Sequence, residues 1–436
     1  MNRTVVPGRA EGTVDIPGSK SYTHRFAVAA GLSRGRTVRI VRALRSTDTF
    51  ATARGLRRLG ARIAIAGEGW SVRGPARYRL RRPVTIDCGE SGTTLRLLCA
   101  AAALFDRPVT FTGRGRLPMR PLEPLTGALE GLGARVRRPR AHRSIPVTIE
   151  GPISPGALAL PAADSSQPVS ALMLALAAFP ARSRLTLVGP VVSRPYVDAT
   201  AATLRAFGAR ADHRGRAWGI GGPLVPPRRR LEVPPDASSA AYAWAAAAAT
   251  GGSVTVRGTG SARNLRWPQA DLALLGLLRR MGARVRRTPA GVRVDGPLRR
   301  PVRADLADSP DLAPLVGVLA AVVPEPGTSV LAPVRHLALK ESDRAAATAS
   351  LARAVGARVR MSADGTIRIR SRPPVLPFSW DGPADHRVVM SAAVGALAAG
   401  GPCRIGPAEA VSKSFPRFWS MIRGWGSGGA GRDLGR

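Results

Sequence analysis

Residues 56–63 read LRRLGARI, and near copies return as LEGLGARV (129–136), LRAFGARA (204–211), LRRMGARV (278–285) and LARAVGARV (351–359). The copies fall about 74 residues apart, a fixed period that marks an internal repeat. In each, a helical run ends in a Gly-Ala pair (Gly60, Gly133, Gly208, Gly282, Gly356) and passes into a strand. A helix that stops there needs a left-handed residue before the chain turns, and glycine supplies it. A second element keeps nearly the same beat: a helix opened by Ser, Thr or Asp and rich in Ala and Leu, beginning near Ser19, Ser91, Ser165, Ser238, Ser309 and Asp385. A short β-branched strand follows each, in TVRIV, PVTFTG, RLTLVG, SVTVRG, TSVLAP and PCRIG. Six α/β units therefore tile the chain, the last with the degenerate ending FWSMIRGWG.

Six units are too many for one core and suit two sets of three. The proline-rich stretch 221–236, GGPLVPPRRRLEVPPD, separates the third unit from the fourth. One domain is expected over 19–234 and a second over 1–18 plus 235–425, with the strand before Pro17 pairing into the second. The Gly-rich end, 426–436, is expected to be disordered. Two crossings between domains permit a hinge, and helix N-termini in both are suited to two anionic substrates.

Composition narrows the class. The chain has 436 residues, 44% of them hydrophobic, enough for large cores. Neither a signal peptide nor a membrane-spanning run is legible, since the longest apolar stretch, 240–249, is short and Ala-rich. Three cysteines, Cys88, Cys99 and Cys403, lack metal-ligand spacing and support neither a disulfide framework nor a metal site. A cytoplasmic location is expected. The formal charge of +38 invites a nucleic-acid reading, but it is spread along the chain, and aromatics are only 5% of residues. It reads as compositional, favouring anionic small molecules over specific nucleic-acid binding.

Residues 17–25, PGSKSYTHR, place a turn and the N-cap candidate Ser19 before a helix that carries Lys20, Ser21 and Arg25 on its first turns. Backbone N–H groups and cations together make an anion site. Lysine stands only at Lys20, Lys340 and Lys413; every other basic residue bar the histidines is arginine. Each lysine neighbours serines, in SKS, KES and SKS. An ammonium is compact and can exchange a proton where a guanidinium cannot, so these three positions are expected to share one site.

The motifs PGSKSYTHR, SGTTLR (91–96), PMRP (118–121), DSSQ (164–167), SRPY (193–196), PDLAP (310–314), LKESDR (339–344), DHR (385–387) and SKSFP (412–416) occur in an order that resembles the EPSP synthase (3-phosphoshikimate 1-carboxyvinyltransferase) family over essentially the whole chain. That resemblance implies a two-domain inside-out α/β barrel of six βαβαββ repeats, three per domain. It implies transfer of the enolpyruvyl group of phosphoenolpyruvate to the 5-hydroxyl of shikimate 3-phosphate, with no metal or organic cofactor, by a monomer that glyphosate inhibits. By motif, Lys20, Ser21, Arg25, Ser165, Ser166, Gln167, Ser193, Asp311 and Lys340 would hold shikimate 3-phosphate. Lys20, Gly92, Arg120, Gln167, Arg344, Arg387 and Lys413 would hold phosphoenolpyruvate, and Lys20, Asp311 and Glu341 would carry the proton transfers. Glu90 and His336 stand where many members have Asn.

Plainer readings stand beside these. Tyr196 can simply pack, His386 can open a helix, Arg96 can form an ion pair, Ser238 and Ser239 can serve as an N-cap, and Glu341 and Asp343 can merely pair with Arg344. The rival functions are a UDP-N-acetylglucosamine 1-carboxyvinyltransferase, an Arg-rich nucleic-acid-binding protein and an inactive paralogue. The first typically has AKN at the position of SKS and a cysteine in the 113–120 loop, neither of which this chain has.

Overall fold

The computed structural model describes residues 1–67, 69–138, 143–227, 230–332 and 335–426, the side chains of residues 335 and 336 excepted. The His336 side chain and residues 427–436 thus lie outside the described part, whereas Gly426 closes the helix Phe418–Gly426. The chain divides into two compact units, one of Gly18–Pro234 and one of Met1–Pro17 with the chain from Pro235 onward.

The unit Gly18–Pro234 holds three four-stranded sheets. In the second, Val84–Asp87 runs parallel to Val109–Thr112, which pairs antiparallel with Val147–Glu150, itself antiparallel to Arg135–Arg137. The third repeats the pattern with Ala157–Pro161, Ser183–Val188, Ala217–Gly221 and Arg210–Arg214. The first takes its parallel edge strand, Leu231–Glu232, from the far end of the unit to pair with Val38–Val41. The strand that precedes the first repeat, Glu11–Val14, belongs instead to the other unit and pairs parallel with Ser253–Arg257. There, Arg303–Ala304 and Thr328–Leu331 open a further sheet, and Arg3–Val5 completes a three-stranded sheet beside Cys403–Gly406 and Ser379–Asp381.

Strand burial alternates with a period of two: in Ile367–Arg370 the isoleucines are buried and the arginines exposed. Each repeat adds two helices of different character. Thr47–Arg58 and Arg344–Ala354 bury only part of their surface, but Lys20–Leu32, Gly92–Ala102, Gln167–Leu176, Ala237–Thr250, Ala313–Val322 and His386–Leu397 are buried almost all round. In each unit three such helices pack together at the centre, and their sheets cover them. Alanine is abundant because three helices converging on one core need short side chains. The inside-out α/β architecture implied by the motifs is the one observed.

The glycines of the repeated Gly-Ala pairs do take left-handed backbone, with φ of 89°, 103°, 70°, 102° and 105° at Gly60, Gly133, Gly208, Gly282 and Gly356. A second repeated glycine escaped the sequence reading. Where the last strand of a repeat leaves the sheet it crosses the end of the buried helix: Gly222 N donates to Phe179 O at 2.7 Å, and a Cβ there would stand 1.9 Å from Ala177 O. A Cβ on Gly151 would likewise stand 2.1 Å from Ala103 O. These neighbours are backbone and cannot yield as a side-chain tip would. Gly222→Ala is therefore expected to destabilise the protein by about 2 kcal/mol or more, read as a fall in the urea midpoint; an unchanged midpoint would remove the close approach as a constraint.

Candidate active site

In the unit Gly18–Pro234 the motif residues gather at helix starts. Lys20 opens the helix Lys20–Leu32 and donates from Nζ to Asp48 Oδ2 at 3.2 Å, with both side chains mostly buried. Asp48 was not singled out from the sequence; it lies in an ordinary capped start, STDT (46–49), and only the fold brings it to Lys20. Ser19 precedes the helix, but its hydroxyl makes no cap. Its carbonyl accepts from Thr23 N and Oγ1 instead, and its N–H donates to Pro234 O.

Arg25 is buried with its guanidinium donating to Thr200 Oγ1 at 2.8 Å, Tyr196 O at 2.9 Å, Ser21 O at 3.0 Å and Ser170 Oγ at 3.2 Å. Among the described residues no carboxylate pairs with it, and burial brings its pKa down to about 10. A guanidinium buried among neutral partners is stabilised by an incoming anion. Ser165 accepts from Gln167 N at 3.1 Å, and Ser166 is the residue before the helix Gln167–Leu176. Ser193 is buried with φ 57°, a left-handed conformation that serine adopts only under constraint.

Gly92 begins the helix Gly92–Ala102, which Ser91 caps through Thr94 N. A Cβ on Gly92 would stand 2.5 Å from Arg120 Nη1 and 2.9 Å from Arg96 Nη1, so two guanidinium groups flank this helix start. Arg96 donates to Gly92 O, to Gln167 Oε1 at 3.1 Å and to Pro121 O at 2.6 Å, bonds that tie the site together.

The other unit places its motif residues around one guanidinium. Arg344, 1% exposed, donates from Nη1 to Asp311 Oδ1 at 2.7 Å, from Nη2 to Glu341 Oε2 at 2.7 Å and from Nε to Asp385 Oδ2 at 3.0 Å. Arg387 Nη2 takes the second oxygen of Asp311 at 3.0 Å. Asp385 also caps its helix by accepting from Arg387 N and receives Ser342 Oγ at 2.9 Å. Asp343 turns away from this cluster to cap the helix Arg344–Ala354. Asp236, and neither Ser238 nor Ser239, caps the helix Ala237–Thr250. Lys340 and Lys413 are half-buried in this unit, and Lys20 is in the other.

Burial pushes the Asp311 carboxyl up, but Arg387, Arg344 and Lys340 outweigh it and hold it well below the usual carboxylate range. Burial lowers Arg344 and Arg387, yet their carboxylates raise both. Asp271, on the turn Ala270–Leu272, goes the other way: burial and the charge of Asp311 push it up to about 7 against the pull of Arg387. Its Oδ1 has no hydrogen-bond partner among the described residues.

The repeats and the charged helix starts define a two-unit α/β protein suited to anionic ligands. Residues 5–422 match the EPSP synthase (3-phosphoshikimate 1-carboxyvinyltransferase) family, and the chain belongs to that family. It is 38% identical over 434 residues to a 3-phosphoshikimate 1-carboxyvinyltransferase of Halobacterium salinarum, covering 98% of this chain and 99% of that one. One from Methanoculleus marisnigri is 38% identical over 428 residues, covering 96% and 98%. The structure of EPSP synthase from Acinetobacter baumannii superposes with a TM-score of 0.77 at 26% identity, covering 97% of each chain. None of these relatives supports the UDP-N-acetylglucosamine or nucleic-acid readings. Among the described residues no helix is long and apolar enough to cross a membrane.

The raised Asp271 has a measurable consequence. An unfolded aspartate ionises near pH 4, about 3.9 in model peptides, whereas the folded one holds its proton up to about 7. Between those values the native state binds more protons, so this group's contribution to stability falls as pH rises. Asp271→Asn, which cannot ionise, is expected to gain stability relative to wild type between pH 4 and 7 in denaturant titrations. A stability difference that stays flat across that window would refute the shift.

Proposed function

We propose that this chain transfers the enolpyruvyl group of phosphoenolpyruvate to the 5-hydroxyl of shikimate 3-phosphate, giving 5-enolpyruvylshikimate 3-phosphate and phosphate, as a single chain in the cytoplasm. The observation that carries the reading is the Arg344 fork, which bonds Asp311 and Glu341 through neighbouring nitrogens. Two carboxyls held on one guanidinium are what an addition followed by an elimination needs, because one proton must be delivered to the substrate and another removed.

Ser21, Arg25, Ser165, Ser166, Gln167, Ser193 and Lys340 hold shikimate 3-phosphate in this scheme, with Asp311 on its 5-hydroxyl. Lys20, Gly92, Arg120, Gln167, Arg344, Arg387 and Lys413 hold the carboxylate and phosphate of phosphoenolpyruvate. Planar and trigonal anions suit the Arg forks, and backbone N–H groups at the start of the Gly92 helix add to them. Asp311 takes the hydroxyl proton as the oxygen bonds to C2, and Glu341 delivers a proton to C3. The C2–O bond to phosphate then breaks, Lys20 stabilises the departing charge, and Glu341 recovers a proton from C3. Arg387, Arg344 and Lys340 hold the Asp311 carboxyl well below the usual carboxylate range. Anionic phosphoenolpyruvate on Arg344 and Arg387 competes for the same guanidinium charge, which makes Asp311 a stronger base.

Phosphate release with both substrates present tests the reaction itself, and its absence in the purified protein would overturn the reading. For the roles, Glu341→Gln is expected to bind both substrates yet stop deuterium from D₂O entering the enolpyruvyl methylene, while Asp311→Asn loses adduct formation and weakens shikimate 3-phosphate binding. Normal deuterium entry in the Glu341 variant would reassign that proton transfer. Replacing Lys20, Lys340 or Lys413 by Arg is expected to lower kcat/KM at least about tenfold, since a fork cannot reproduce a compact donor. Three near-neutral variants in steady-state kinetics would show that an ammonium is not required.

A further inference from the structure

The helix starts of the Gly18–Pro234 unit are joined by a buried chain of polar side chains that no step above uses. His24 Nδ1 lies 2.8 Å from Thr52 Oγ1, Thr52 Oγ1 lies 2.7 Å from Thr94 Oγ1, and Thr94 Oγ1 reaches Ser91 Oγ at 2.8 Å and Asp48 O at 3.1 Å. His24, Thr52 and Thr94 are at most 1% exposed. They stand on three helices, Lys20–Leu32, Thr47–Arg58 and Gly92–Ala102. Those helices also carry Lys20, its partner Asp48, and Gly92.

Each threonine hydroxyl has a single hydrogen, so the chain has a direction. His24 is neutral, because burial, then Lys20 and Arg25, hold its pKa well below the ordinary value. Its Nε2 has no partner among the described residues. If Nε2 carried the proton, Nδ1 would accept from Thr52 and Thr52 from Thr94, leaving an unpaired N–H in the core and no Thr94 hydrogen for Ser91 or Asp48. If Nδ1 carries it, His24 donates to Thr52, Thr52 to Thr94, and Thr94 to Ser91 Oγ or Asp48 O. The second arrangement satisfies every hydrogen, and an unmet buried donor costs about 1–3 kcal/mol.

We propose that His24 is a positioning residue for the transfer reaction: as the Nδ1–H tautomer it sets the direction of the Thr52–Thr94 chain and fixes the Lys20–Asp48 pair against the start of the Gly92 helix. It touches no substrate and acts through the hydroxyls. Asparagine can place a donor where Nδ1 stands, whereas leucine fills the volume without one.

The variants His24→Asn and His24→Leu, with Thr52→Val as a near-isosteric break in the middle of the chain, test this. His24→Leu and Thr52→Val are expected to lower kcat/KM for phosphoenolpyruvate at least about tenfold, with His24→Asn within about threefold of wild type. Combining His24→Leu with Thr52→Val is expected to cost no more than either alone, as for two breaks in one chain. A role in packing alone predicts the opposite order, with leucine at least as good as asparagine, and that order would overturn the proposal. Should His24→Leu fail to fold, Thr52→Val decides, and wild-type kinetics in it would overturn the proposal equally. Independently, ¹⁵N NMR of the imidazoles, of which the chain has five, is expected to show His24 protonated at Nδ1 and bare at Nε2 from pH 5 to 9; an Nε2–H signal would refute the tautomer. The kinetic arm rests on the proposed reaction. Wild-type protein that releases no phosphate would therefore count against that reading, and the NMR arm would still decide this one.

Discussion

Arg344 has almost no surface left to water, and its three carboxylate partners come from three separate segments. Removing a guanidinium from solvent costs several kcal/mol, recovered only if geometry and hydrogen bonding are good. Here every edge of the fork that faces the cluster is used: Asp311 from the turn Pro310–Leu312, Glu341 from the segment before the helix Arg344–Ala354, and Asp385 from the start of His386–Leu397. One side chain thus fixes the mutual placement of three helix starts. A neutral residue in its place would leave three carboxylates facing one another, so the cluster stands or falls as a whole.

The Gly18–Pro234 unit, built from the same repeat, has the opposite balance. Lys20 pairs with Asp48 there, and the buried Arg25 guanidinium donates only to neutral oxygens among the described residues. Three buried helices packed side by side bring their N-terminal dipoles together, which favours negative charge in either unit. In one unit the protein supplies much of that charge itself as aspartate and glutamate. In the other, Arg25 is held by neutral oxygens, and its charge is left for a ligand to balance. That difference lies in the side chains at the helix starts, since each unit packs three buried helices under three sheets.

How far this was legible in the sequence varied with the physics involved. The repeat was readable because a helix that must turn into a strand needs glycine, and the need recurs at Gly60, Gly133, Gly208, Gly282 and Gly356. The rarity of lysine among so many arginines made Lys20, Lys340 and Lys413 visible as individuals. Asp48, Asp271 and Thr52 carried no such mark, since each looks like an ordinary helix-start or helix-face residue until the fold supplies its neighbour. Leu231–Glu232 was hidden for another reason: a two-residue strand among prolines reads as linker, and only its pairing with Val38–Val41 makes it part of a sheet. The cap at DASSA was misread by two residues, from Ser238 to Asp236, because Asp and Ser are equally good capping residues, and the backbone decides between them.

The placement of Glu11–Val14 bears on the order in which the protein is made. Its parallel partner is Ser253–Arg257, and Arg3–Val5 pairs antiparallel with Cys403–Gly406. The whole unit Gly18–Pro234 is contiguous and closes its own first sheet with Leu231–Glu232, so it leaves the ribosome complete before either partner exists. Domains fold as units while synthesis continues. The first seventeen residues therefore wait as unpaired strand through the translation of an entire unit, and the chain's opening segment is among the last to find its place.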